Sequence, residues 1–323
     1  MTDLHDWLLR FSHGDVLAAS RLMSVVERGG EEAEYVLDAI FPRTGRAWRV
    51  ALTGAGGVGK STLANALTLR YRSAGQTVGM VAEDPTSPFT GGAVLGDRVR
   101  MTHATGDAGV FVRSLASRGS ESGLSPLASE LADVLDAFGR DVVLLESMGV
   151  GQVETRIRFS ADTIVVVLTP EAGDEVQGLK SGLLEVADVL VVNKADRPGA
   201  EAFTADLTAI VALREATDGH WRPPVVMTRT ADAASTDALS GAIAAHRSHL
   251  ETGTRRSARR RFALRERVRL LVEENWRATV WQSPVVRERF DGIFERVAGG
   301  SLSPYRAARD LAELLRVESR SSP

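Results

Sequence analysis

The stretch RVALTGAGGVGKSTLANALTLRY constrains the fold more than any other part of this 323-residue chain. A β-rich apolar run leads into GAGGVGKST, Gly54 to Thr62, and then into a segment of helical character. That is G-x-x-x-x-G-K-[ST] in the strand–loop–helix context that gives the pattern its meaning. Glycines let successive backbone N–H groups turn inward around phosphate oxygens, and the N-terminus of the following helix adds partial positive charge. Gly54, Gly56, Gly57, Val58 and Gly59 are therefore expected to form the cradle. Lys60 reaches the outer phosphates, Ser61 and Thr62 open the helix, and the Ser61 hydroxyl ligates Mg2+.

From Trp48 onward, the apolar runs WRVALT, TVGMVAE, DVVLLE, TIVVVL, VLVVN and PPVVMT alternate with helix-like stretches such as LASELADVLDAF. This alternation implies a doubly wound α/β domain over residues 48–250, a mostly parallel sheet with helices on both faces. Residues 1–47 read as an N-terminal helical segment. Asp15 caps a helix whose Ala18, Leu22, Val25 and Val26 share a face, Gly29-Gly30 ends it, and a second short helix carries Val36, Leu37 and Ile40 to Pro42. Residues 251–323 read as a helical arm, with Leu264, Val268 and Leu271 at helical spacing, Pro284 opening a segment, and Ser303-Pro304 as cap and first-turn proline. Such a tail buries little apolar surface by itself, so it packs on the α/β domain, on a second copy, or on both.

Base identity is read from NKAD, Asn193 to Asp196, directly after VLVVN. The Asp196 carboxylate accepts from N1–H and the exocyclic amine of guanine, whereas adenine presents an unprotonated N1 and leaves a charge unpaired. Four residues recur by chance, but at a strand end downstream of the glycine loop they point to GTP, with Asn193 and Lys194 in the same pocket. Between the two motifs lies DPTSPFTGGAVLGDRVRM, Asp84 to Met101. Its Asp84 and Asp97 suit a loop that carries carboxylates to magnesium. Standing alone, the same stretch reads as a turn-rich surface loop. VVLLESMGVGQ looks like a buried strand followed by a glycine turn that senses a terminal phosphate, with Glu146 where such turns usually carry aspartate.

Taken together, GAGGVGKST, DPTSPFTGGAVLGDRVRM, ESMGVGQVE, PEAGDEVQGLKSG and VVNKAD resemble the MeaB/ArgK family of P-loop GTPases, and the match covers nearly the whole chain. GDVLAASRLMSVVE and SPYRAARDLAELL resemble that family's N-terminal and C-terminal segments. The resemblance implies that Glu146 takes the Walker B role, that Asp84 and Asp97 are carboxylates near Mg2+, and that Gly149 senses the γ-phosphate. It also implies GTP hydrolysis to GDP and phosphate centred on Lys60, Asp97 and Glu146. No residue is placed to orient the attacking water, so turnover is expected to be slow until a partner orders the switches.

The implied partner is an adenosylcobalamin-dependent acyl-CoA mutase, methylmalonyl-CoA mutase or a relative such as isobutyryl- or 2-hydroxyisobutyryl-CoA mutase. The implied role is to gate cofactor loading and to protect or reactivate that enzyme. Thr169 to Gly182, with Asp174, Glu175, Gln177 and Lys180, resembles a third switch; on its residues alone it reads equally as a polar strand-to-helix connection. The tail is implied to be a dimerisation arm, making a homodimer. Three stretches depart from the family pattern: Ser147-Met148 for Thr-Val, Glu171 for glycine, and ESGLSPLASE; the first and third lie in or near the implied switches and so bear on partner identity.

Composition removes several alternatives. Lysine and arginine number 39 against 42 acidic residues, a net charge of −3, which argues for neither nucleic acid nor membrane, and neither is expected as a partner. The arginine-rich run Arg255 to Arg269 accordingly reads as a helix with a solvated basic face. The absence of cysteine excludes disulfides and thiolate metal sites and argues against a nickel-delivery GTPase of the same class. Six scattered histidines read as surface or packing residues. An ATP-driven partitioning ATPase is disfavoured by Ala55 and by the NKAD motif, which leaves a GTP-gated scaffold with negligible turnover as the non-enzyme alternative. With no basic leader and no long apolar run at the amino terminus, a cytoplasmic protein is expected.

Overall fold

In the computed structural model, which describes residues 2–84, 107–116, 124–148, 157–173, 183–213, 221–229 and 232–321, the chain forms two compact units, Met1–Arg260 and Arg261–Pro323. The first unit begins with helices α1 (Thr2–Ser12), α2 (Val16–Arg28) and α3 (Glu31–Ile40). It continues through β1 (Trp48–Thr53), α4 (Lys60–Ser73), β2 (Val78–Asp84), β3 (Val110–Ala116), α5 (Pro126–Ala137), β4 (Val142–Glu146), α6 (Ile157–Ser160) and β5 (Thr163–Leu168). Then come α7 (Leu183–Val186), β6 (Val189–Val192), α8 (Ala200–Ala212), β7 (Val225–Met227) and α9 (Ala233–Glu251). Helix α10 (Arg255–Gln282) starts in this unit and runs into the second, which also holds α11 (Pro284–Ala298) and α12 (Pro304–Ser321).

The seven strands form one sheet in the order β3-β2-β4-β1-β5-β6-β7, and every described pairing is parallel. Parallel strands need both faces covered, and alternate side chains do this here. Val50, Leu52, Leu144, Val165 and Val167 join Leu63 and Leu67 of α4 and Leu239 and Ile243 of α9 in one core. Ala51, Val143, Leu145, Ile164 and Val166 face the opposite way, into a core shared with α5, α6 and α8. Leu22, Val25 and Val26 of α2 and Val36 and Ile40 of α3 belong to that second core, so the N-terminal helices pack into the α/β unit. Each such large side chain contributes on the order of 2 kcal/mol.

Local signals agree with these elements. Asp15 Oδ1 accepts from Leu17 N and Ala18 N at 2.8 and 3.1 Å, and Gly29 follows α2 at φ 71°. Ser125, Ser283 and Ser303 cap α5, α11 and α12, each ahead of a proline at the first helical position. One strand departs from the sequence reading: β3, VFVRSLA, has no counterpart among the six apolar runs. It is an edge strand and only half-buried, and Arg113 interrupts its apolar run to pair with Glu27 and Ser24 of α2.

At the amino ends of the strands, buried carboxylates collect arginines. Arg49 donates to Asp133 and Asp136 at 2.7 and 2.8 Å, while Asp136 also accepts from the backbone N–H groups of Gly45, Arg46 and Ala47. Burial works against the Arg49 charge, but the two carboxylates outweigh it and hold the guanidinium above its ordinary pKa. Arg260 pairs with Asp162 at 2.6 Å and Arg259 with Asp188 at 2.7 Å. The start of α10 is thus a set of buried ion pairs where the sequence suggested a solvated basic face.

His246 of α9 lies inside this layer, 1% exposed. Its Nδ1 is 2.9 Å from Thr163 Oγ1, which also accepts from Trp48 Nε1, and its Nε2 is 3.3 Å from Asp188. Burial lowers its pKa to about 4; Asp188 and Asp162 oppose that shift, and Arg259 and His249 reinforce it. The folded chain therefore refuses a proton that the unfolded chain binds below pH 6.5. Stability is complete above that pH and is lost as pH falls toward 4, by roughly 3 kcal/mol across the window. Urea unfolding between pH 7.5 and 4.5, in steps of about half a unit, tests this: His246→Gln should flatten the profile across that window.

Candidate nucleotide site

The strand order reverses about β1, which lies between β4 and β5, and the loop after β1 opens at that switch point. Register aligns Leu52 with Glu146 of β4 on one side and Thr53 with Val166 of β5 on the other. Gly54 leaves the strand at φ 144°, and a Cβ there would lie 2.1 Å from the Val167 carbonyl oxygen, so only glycine turns the chain here. The loop then enters α4 at Lys60. Lys60 Nζ donates to the carbonyls of Gly54 and Ala55, both at 2.9 Å, which holds the ammonium within the turn. Gly56 and Gly57 are exposed on the loop, Val58 is buried beneath it, and Thr62 faces outward on the first turn of the helix.

Ser61 Oγ donates to Glu146 Oε1 at 2.5 Å. The strand end carrying Glu146 and the first turn of α4 are therefore in direct contact, and two hard oxygen donors stand side by side next to a helix N-terminus. That donor set fits Mg2+, which takes one or two protein oxygens and keeps several waters. Asp84 closes β2, two residues past Ala82, which is in register with Glu146; its side chain lies outside the described residues. Asp97 and Gly149 also lie outside them, as do Gln152, Asp174, Glu175, Gln177 and Lys180. Beside Asp84, Glu83 is buried; its Oε1 accepts from Ser125 N at 2.8 Å, tying β2 to the cap of α5, and burial raises its pKa. Ser147 is buried at the end of β4 and donates to Thr53 Oγ1 at 3.1 Å.

The NKAD turn follows β6 and reaches back to the loop. Asn193 Nδ2 donates to the Val58 carbonyl at 2.8 Å, and Lys194, at φ 55°, donates from Nζ to the Gly57 carbonyl at 2.8 Å. A Cβ at Gly59, itself at φ 99°, would lie 2.3 Å from Asn193 Nδ2. The last glycine of the loop is thus the space in which Asn193 sits. Asp196 stands exposed at the tip of the turn. The structure brings together Gly54 to Ser61, Glu146, Asn193 and Lys194 around one strand-end cleft.

Thr228 is a member of this group that the motifs do not contain. Fully buried at the end of β7, it donates from Oγ1 to Asn193 Oδ1 at 2.9 Å, and its carbonyl accepts from Ala195 N at 3.1 Å. Its sequence signal is a single threonine ending PPVVMT. It fixes which way the Asn193 amide points and supports the NKAD turn from the neighbouring strand.

A parallel sheet with a glycine phosphate loop at its switch point, and a base-reading turn on a neighbouring strand end, defines a P-loop GTPase. Residues 19–285 match the family model described as methylmalonyl Co-A mutase-associated GTPase MeaB. The chain belongs to the MeaB family, and so it binds guanine nucleotide and hydrolyses GTP. A Pyrococcus abyssi protein named as a GTPase is 42% identical over 301 residues, covering 93% of each chain. GTPase ArgK of Escherichia coli K12 is 32% identical over 327 residues, covering 98% of this chain and 97% of its own. A crystal structure described as an LAO/AO transport system kinase superposes with a TM-score of 0.74 at 25% identity, covering 98% of both chains.

Removing the Thr228 hydroxyl strands the buried Asn193 amide oxygen, a loss of about 1–2 kcal/mol in positioning the turn. Thr228→Val should weaken GDP binding by about tenfold with cooperative unfolding retained, and Thr228→Ser should restore it, as read by titration calorimetry.

Proposed function

We propose that this GTPase serves an adenosylcobalamin-dependent acyl-CoA mutase, gating cofactor loading and protecting or reactivating the enzyme according to nucleotide state. The family's description, as a GTPase associated with methylmalonyl-CoA mutase, is the observation that carries this reading. The nucleotide lies in the strand-end cleft. The amides of Gly54 to Gly59 cradle the phosphates, Lys60 turns from the Gly54 and Ala55 carbonyls to the outer phosphates, and Asp196 pairs with the guanine edge. Asn193 and Lys194 hold the base turn against the loop.

Mg2+, held by Ser61 Oγ and Glu146 with Asp84 and Asp97 nearby, supplies charge neutralisation at the triphosphate. Glu146 occupies the position usually filled by aspartate, and its extra methylene reaches the first turn of α4, which the 2.5 Å contact with Ser61 supports. Gly149 reports the γ-phosphate. Hydrolysis by the chain alone is slow, because positioning and charge stabilisation are supplied while an oriented water is not.

The arm after residue 250 joins two copies into a homodimer. Leu264, Val268, Leu271 and Val272 of α10 support this, since they make an exposed apolar stripe at helical spacing that extends to Trp276. Among the described residues no helix is long and apolar enough to cross a membrane.

Steady-state GTP hydrolysis, alone and with purified acyl-CoA mutases, is the direct test. One mutase should raise the rate by at least about tenfold, with ATP inert; stimulation by none would remove the mutase reading. Asp196→Asn should move nucleotide preference from guanosine to xanthosine by at least about a hundredfold. Glu146→Ala should lose Mg2+-dependent turnover while retaining GDP binding, and if mutase protection persists in that variant, the nucleotide acts as a scaffold signal only.

A further inference from the structure

At the amino ends of the strands, opposite the nucleotide loop, two adjoining hollows of about 210 and 290 Å³ share Gln76 and Arg247 as common walls. The smaller has an apolar floor made by Trp48, Tyr71, Val142 and Ile243, between the end of α4 and the outer face of α9. The larger is polar, lined by Arg46, Arg140, Asp141 and Arg247. None of these residues takes part in the nucleotide site.

Arg140 is the residue with no structural account. It is 8% exposed, its Nε has no hydrogen-bond partner, and its one polar contact is Nη1 to the Ala108 carbonyl at 3.4 Å. Among the described residues no carboxylate comes within ion-pairing distance of it. Its guanidinium instead lies 5.0 Å from the Phe138 ring centre. Asp141, the acidic residue in the same hollow, is committed elsewhere, accepting at 2.7 Å from both the N–H and the hydroxyl of Thr77. Arg247 stacks 5.1 Å over Trp48, donates from Nε to Glu251 at 2.9 Å, and lines both hollows. A nearly buried guanidinium is costly without an anion in contact with it; among the described residues Asp107 and Asp141 act on Arg140 only from a distance, and each accepts hydrogen bonds elsewhere, from Arg72 and from Thr77.

We propose that this double hollow binds a small organic anion, a carboxylate or phosphate carried on a flat apolar body. The oxyanion takes donors of Arg140 together with Arg247 and Arg46, and the apolar body enters the smaller hollow beside Tyr71, Ala74 and Ala244. Guanidinium groups suit both oxyanions because their N–H pairs match either geometry. A ligand here touches α4 and α9, the two helices that cover the nucleotide face of the sheet, at the ends remote from the phosphate loop.

The test is titration calorimetry on the full chain saturated with GDP, which occupies the phosphate loop, using benzoate, phenyl phosphate and neutral benzyl alcohol. Millimolar binding of benzoate or phenyl phosphate but not benzyl alcohol is expected, and the preferred anion tells carboxylate from phosphate. Arg140→Gln and, separately, the more exposed Arg247→Gln should each weaken that binding by about tenfold with GDP affinity unchanged. Arg247→Gln keeps the test open if the buried substitution fails to fold. Binding that both variants leave intact, equal binding of benzyl alcohol, or no binding at tens of millimolar overturns the proposal.

Discussion

The side chain of Asn193 is the contact on which the site's geometry depends. One amide donates to the Val58 carbonyl in the phosphate loop, accepts from Thr228 on the next strand, and belongs to a residue whose own N–H is held by Leu168 at the end of β5. Loop, base turn and two strand ends therefore share a single buried group. Three hydrogen bonds to one buried residue form a network in which the loss of one partner strands the others. Gly59 is required by the same contact, since any side chain there enters the space of the amide. The glycine pattern of the phosphate loop thus serves packing against the base motif as well as approach to phosphate.

At the other end of the strands, buried ionised groups sit beside the apolar core. Asp133, Asp136, Asp162 and Asp188 are all buried, and each has an arginine partner at 2.8 Å or less. Removing one partner of such a pair leaves an uncompensated buried charge, a cost of roughly 3–5 kcal/mol, whereas the intact pair contributes far less. These pairs specify where α10 begins: Arg256, Arg259 and Arg260 tie its first turns to the starts of β1, β5 and β6. The anchor holds its register by charge, which leaves the apolar residues further along the helix available for other surfaces.

Much of this was legible in the sequence because its signals are local. The glycine loop needs a strand before it and a helix after it, the NKAD turn needs a strand end, and Asp15 and Gly29 mark a helix by chemistry within a few residues. The class of the fold followed from alternation alone. What escaped is non-local. Thr228 matters because of a neighbour 35 residues away, Arg140 because of what fails to surround it, and the arginines of α10 because carboxylates some 70 to 100 residues earlier are buried beneath them. Edge strand β3 escaped because one face of it meets helix and solvent, so its apolar run is broken where the inner strands are continuous.

Two of the departures from the resembled family pattern, Ser147 and Glu171, fall in different physical settings. Ser147 keeps the hydroxyl that threonine would supply and uses it on Thr53, so that change conserves the chemistry of the β4 end while removing one methyl. Glu171 adds a charge where glycine has none, and it pairs with Arg197, the residue next to Asp196. Both partners are half-exposed, so the pair contributes little to stability. Its effect is positional: it lowers the Glu171 pKa through the Arg197 hydrogen bond and holds a cation beside the Asp196 carboxylate. The segment after β5 and the turn after β6 are thereby joined at the surface, as Asn193 joins the loop and the turn beneath.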